Sequence, residues 1–64
     1  MNLEAERYVI GCLLREPHLL AELTLCADDF QAESTRNVFA TIQNMARNNK
    51  AIDVLTVTDQ LGDN

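Results

Sequence analysis

Leu3-Glu4-Ala5-Glu6-Arg7-Tyr8-Val9-Ile10-Gly11-Cys12-Leu13-Leu14 opens the chain, and its apolar residues fall at helical intervals. Ala5, Val9, Ile10, Leu13 and Leu14 recur at three- and four-residue spacings, which place side chains on one face of a helix. Glu4, Glu6, Arg7 and Arg15 mostly fall outside that stripe. Downstream segments are therefore expected to pack against this helix. Asn2 is suited to cap it, since its short side chain can accept a first-turn N–H. Glu4 and Glu6 then sit where negative charge complements the helix dipole. Gly11 costs about 1 kcal/mol relative to alanine inside a helix, so close passage of another backbone is expected there.

Size and charge limit what the rest can be. With 64 residues the chain is one domain at most. A chain that short buries only about 60% of its unfolded surface, so its core is small. Ten acidic against five basic residues give a formal net charge of −5, which disfavours autonomous binding to a phosphate backbone. No apolar run approaches the roughly 20 residues that cross a bilayer, and no basic-then-apolar leader opens the chain, as expected of a soluble intracellular protein. Cys12 and Cys26 are too far apart for a CxxC site, and with a single His they read as small buried apolar residues.

Arg15 and Glu16 precede Pro17, which closes one helix and suits the first turn of the next. A second helix is expected over 17–25, with Leu19, Leu20 and Leu23 inward. His18, lacking a Ser, Cys or acidic set to complete a triad, reads as a surface residue. Cys26-Ala27-Asp28-Asp29-Phe30 reads as a turn in which the aspartates cap and Phe30 anchors in the core. Ser34 is the expected N-cap of a third helix, whose Val38, Phe39, Ile42, Met45 and Ala46 form a continuous apolar stripe. Asn48-Asn49-Lys50 then provides a stop, because Asn tolerates the left-handed conformation.

The stretch 52–62 mixes β-branched residues with helix punctuation. Asp53 can cap the N–H of Thr56, Val54, Val57, Thr58 and Leu61 would share a face, and Gly62 fits a stop. A lone strand in a helical chain would also lack a partner, so helix is the expectation. The core expected from these patterns comprises Val9, Leu13, Leu20, Phe30, Phe39, Ile42, Val57 and Leu61. Catalytic, cofactor-binding and metal-ligating residues are not expected: no phosphate loop, nucleophile elbow, HExxH or calcium loop occurs, and Lys50 stands in no GxxxxGK[ST] arrangement.

Four blocks in order resemble the N-terminal domain of the replicative DNA helicases of the DnaB family. Glu4-Ala5-Glu6 with Val9, Gly11, Leu13 and Leu14 is similar to the family's EAExxVLGxLL opening, and Ala27-Asp28-Asp29-Phe30 to its DDF or EDF turn. Arg36-Asn37-Val38-Phe39 resembles HRxIF at Arg36 and Phe39, and residues 52–61 resemble PIDLVTLxxxL. The chain differs in having Cys12 where the family often has another small residue. It also has Gln31 for an aromatic, Thr35 for a His, Asn49 for a Gly and Ala51 for a Pro.

The resemblance implies an all-α fold, a small orthogonal bundle of about four helices. It also implies that residues 1–64 are part of a collar domain whose head continues into a helical hairpin, a linker and a RecA-like motor. ATP and Mg would belong to that motor, and this segment would hold no cofactor. Such a module, cytoplasmic and without catalysis of its own, would associate with other helicase subunits as a dimer or hexameric collar, contact primase and possibly a helicase loader, and bind no duplex DNA directly.

The candidate partner-binding residues are Glu4, Arg7 and Tyr8, an aromatic beside opposite charges at the polar start of the first helix. Two other classes carry distinct marks. A helix-turn-helix DNA reader would use 54–61, which has no Lys or Arg and is preceded by Asp53 and contains Asp59. A small regulator imitating the helicase collar would share the fold and lack a motor.

Overall fold

The computed structural model describes residues 1–62, and helix α2 lies at its centre. There are three α-helices, α1 (Leu3–Arg15), α2 (Glu33–Arg47) and α3 (Val54–Gly62); two 3-10 turns, Pro17–Glu22 and Ala27–Asp29, lie between α1 and α2, and residues 48–53 join α2 to α3 without one. Among the described residues there is no strand, and the all-α architecture agrees with the sequence patterns. Helix α2 packs against α1, α3 and the second 3-10 turn, while α1 also packs against the first. The opening helix is thus one of several elements leaning on α2.

Two of the three α-helix starts have a side-chain cap. Asn2 Oδ1 accepts the Ala5 N–H at 2.8 Å, as its side-chain chemistry predicts. At α3, Asp53 Oδ1 accepts the Thr56 N–H at 2.9 Å, and Thr56 Oγ1 accepts the Asp53 N–H at 3.0 Å, a reciprocal box closing two orphan donors. The residue preceding α2 is Ala32, whose side chain can accept nothing. Ser34 is inside the helix and does not cap it; a carboxylate from α1 binds the two amides just before the helix, as described below.

Helix α2 ends as its sequence indicates. Asn49 has φ 57°, the left-handed region that Asn enters at low cost. The Lys50 N–H reaches the Met45 carbonyl at 2.9 Å and the Asn49 N–H the Ala46 carbonyl at 3.1 Å, the bonding pattern of a Schellman stop.

The core is built on α2: Phe39, Ile42 and Met45 are buried, and Leu13, Phe30 and Val57 close over them. The Phe30 and Phe39 rings stack with centroids 4.5 Å apart, which ties the second 3-10 turn to α2. Of the expected core, Val9, Leu20 and Leu61 are half-buried at its edge.

Several expectations are corrected. The helix expected over 17–25 is present from Pro17, but as a 3-10 helix that ends at Glu22, and Leu23 is extended with ψ 144°. Extended backbone turns alternate side chains to opposite sides. Leu23 and Leu25 therefore lie half-buried against the core while Thr24 is exposed, which a continued helix would not achieve. On α3, Val57 is buried and Leu61 half-buried, but Val54 and Thr58 are exposed, because only a narrow side of so short a helix meets α2. Cys26 is exposed and Cys12 half-buried. Gly62 is the last described residue of α3, and the stop expected after it lies outside the described residues. No described helix is long and apolar enough to cross a membrane.

Candidate protein-interaction surface

Glu6 is the residue whose position departs most from its sequence context. In the first turn of α1 it was expected to face water; it is instead fully buried. Its Oε2 accepts the Gln31 N–H at 2.8 Å, and its Oε1 accepts the Ala32 N–H at 3.2 Å and the hydroxyl of Thr35. The Thr35 hydroxyl also lies 3.1 Å from the Ala32 carbonyl. Gln31 and Ala32 are the last residues before α2, so a carboxylate from α1 holds the two amides at the entrance of a helix that has no capping side chain of its own. Negative charge at a helix N-terminus is favourable in its own right. The Thr35 hydroxyl first, then the Gln31 and Ala32 amides and finally the Met1 ammonium hold this carboxyl below its ordinary value of 4.5; burial opposes them and is outweighed.

A second carboxylate works locally. Asp29 Oδ2 accepts the Cys26 N–H at 2.9 Å and lies 3.5 Å from Cys26 Sγ. The Cys26 amide first, then its thiol, lowers the Asp29 carboxyl from its ordinary 3.8. The Met1 ammonium meets the Asp29 carbonyl at 3.4 Å, so the start of the chain is tied to the same turn. Of the aspartate pair expected to cap, Asp29 does so and Asp28 is exposed.

With Glu6 turned inward, the opposite side of α1 is left to solvent. Glu4, Arg7 and Tyr8 are brought together there at spacings of three and four residues, all exposed, Tyr8 at 74%. Glu4 and Arg7 form no ion pair among the described residues, where the single pair is His18 with Glu16 at 3.8 Å, both well exposed. Arg7 and Tyr8 each border shallow grooves. One, of about 300 Å³, runs from Arg7 past Gly11 and Leu14 to Val38 on α2. Another, of about 230 Å³, lies between Tyr8, Cys12 and the leucines of the first 3-10 turn and its exit, Leu19 and Leu23. Gly11 was expected to mark close packing within the chain, but a Cβ built on it meets nothing within 4 Å. Among the described residues no group of three or more His, Cys, Asp or Glu is placed to hold a metal ion. The arrangement offers two apolar grooves, the first edged by the Arg7 cation and the second by the Tyr8 ring.

The buried Glu6 belongs to the Glu4-Ala5-Glu6 block, and its partners lie in the segment joining the Ala27–Phe30 block to the Arg36–Phe39 block. Those blocks are held together by hydrogen bonds and by the Phe30–Phe39 stack. The whole chain, residues 1–64, matches the family described as DnaB-like helicase N terminal domain. The chain belongs to that family. Curated proteins and solved structures gave no match. In this DnaB-like domain the Thr35 hydroxyl donates to Glu6 and keeps the buried contact polar.

Glu6 was missed as a tertiary contact because its place in a first turn had a sufficient local explanation. The signal that could have found it was the lack of a capping side chain at Ala32 ahead of a strongly periodic helix. Thr35, one turn before Phe39 and so on the inward face, was a second.

Proposed function

We propose that this domain is a non-catalytic collar module of a hexameric replicative DNA helicase, serving subunit association and the contact with primase. Family membership supports the helicase assignment, and the exposed Glu4, Arg7 and Tyr8 cluster on α1 is the observation that carries the contact. An exposed aromatic beside an arginine supplies the large rigid area and directional bonding typical of interface anchors. The inward Glu6 fixes the rotation of α1, so that this edge is presented in one orientation. Unwinding and ATP hydrolysis would belong to a motor domain of the parent helicase.

The test is charge reversal of Glu4 with Arg7, Glu4→Lys and Arg7→Glu, in the helicase carrying this domain, with primase affinity measured by calorimetry and folding by circular dichroism. Weaker binding with an unchanged fold supports the assignment. Unchanged affinity removes these residues from the primase contact.

A further inference from the structure

Helix α1 carries Arg7, Gly11 and Arg15 at successive four-residue steps, so a notch without a side chain lies between two cations on one exposed face. Nothing inside the chain requires glycine there. Its φ is not positive, and an added Cβ would stand in open space. A glycine in a helix interior is nonetheless costly, and its absent side chain lets another backbone approach closely. Apolar grooves lie on both sides of the notch, toward Leu14 and Val38 on one side and toward Cys12 and Leu23 on the other.

Charge decides what would fit. The chain carries ten acidic residues against five basic ones, yet two of those five, Arg7 and Arg15, flank this notch. Among the described residues, no acidic side chain lines the grooves. We infer that the Gly11 face of α1 is a docking site for an amphipathic helix of another protein, one with an apolar centre and acidic edges. Its apolar side chains fill the two grooves, its backbone crosses at Gly11, and its carboxylates meet Arg7 and Arg15. A second copy meeting this face with its own would set Arg7 and Arg15 of one against those of the other, which is unfavourable. The inference rests on reading the domain as a protein-binding module and specifies the chemistry of one of its partners.

The probe is a synthetic helical peptide with a leucine and isoleucine stripe edged by glutamates, with a matched peptide edged by lysines as control. Titrated into the 15N-labelled chain, the acidic peptide should shift the amides of residues 7–15 and bind at least about ten-fold tighter than the control, by a margin that shrinks with added salt. Gly11→Gln should weaken it by a similar factor without lowering the melting temperature, and Arg7→Glu with Arg15→Glu should abolish the preference. Failure to bind, equal binding of both peptides, shifts centred elsewhere or an indifferent Gly11→Gln variant would overturn the inference. Sedimentation showing a self-associated chain dispersed by Arg7→Glu with Arg15→Glu would give the face to a second copy and also overturn it. Arg7 is shared with the primase contact, but the peptide, Gly11→Gln and Arg15 are not, so failure of the peptide to bind is told apart from failure of the primase contact.

Discussion

The Glu6 carboxylate accepts the Ala32 amide proton at 3.2 Å across 26 positions of sequence, so that a residue of one helix holds the backbone at the point where another begins. With the Gln31 amide and the Thr35 hydroxyl the same carboxylate has three donors and no exposure to water. A buried charge is tolerable when its acceptor capacity is filled in this way, and the cost of removing a partner falls on the whole set. Thr35→Val, which keeps the shape and removes the hydroxyl, should lower the melting temperature. Glu6→Ala should lower it further, since it leaves the Gln31 and Ala32 amides and the Thr35 hydroxyl without their acceptor. Thermal unfolding followed by circular dichroism reads both.

Acid should weaken the fold through the same carboxylates. Glu6 and Asp29 are held below their ordinary values of 4.5 and 3.8, so the folded state binds protons less readily than the unfolded chain. Their stabilisation is fully present above those ordinary values and is lost as pH falls through the lowered folded ones. Urea midpoints measured from neutral pH down into this range should fall. The Glu6→Gln variant should start lower and fall less steeply.

How much of this was legible in the sequence depended on the reach of each contact. Asn2, Asp53 and the Asn49 stop were readable because donor and acceptor lie within a few residues and one side chain decides the geometry. The buried Phe39, Ile42 and Val57 were readable from helical spacing. The 3-10 turn at Pro17–Glu22 was not, because Leu19, Leu20 and Leu23 satisfy a helical pattern, and only the need to turn Leu23 and Leu25 toward one core selects the extended exit. Glu6 was hidden for the opposite reason: its local explanation was adequate, and its partners lie 25 to 29 residues away. At the candidate surface Arg7 and Tyr8 are exposed, as their place outside the apolar stripe suggested, whereas Gly11 was assigned to packing inside the chain and opens outward instead.

Removing the ring at the centre of the core should be severe. Phe39 is fully buried and stacks on Phe30, so Phe39→Ala loses both burial and the stack, a cost of about 3–5 kcal/mol. That approaches the whole stability of a domain of this size. Loss of chemical-shift dispersion in the NMR spectrum of the variant at room temperature is the expected outcome.

The opposite sign is expected on α1. Gly11 has a helical backbone and open space at its Cβ, so Gly11→Ala should stabilise the chain by about 0.5–1 kcal/mol through lower entropy of the unfolded state. A rise in the urea midpoint with an unchanged slope would show it.

At the other end, Asp53→Ala removes the acceptor of the Thr56 N–H and should cost about 1 kcal/mol. Hydrogen exchange should quicken through α3 before it does in α2.

The rotation of α1, and with it the presentation of Arg7 and Tyr8, depends on the Glu6 carboxylate being charged and bound at the start of α2. An NMR titration of that side-chain carboxyl, with the Gln31 and Ala32 amides followed in the same samples, measures this directly. The carboxyl should titrate with a midpoint below 4.5, and both amide resonances should move with the same midpoint. A midpoint at or above 4.5, or amides indifferent to the titration, would contradict it.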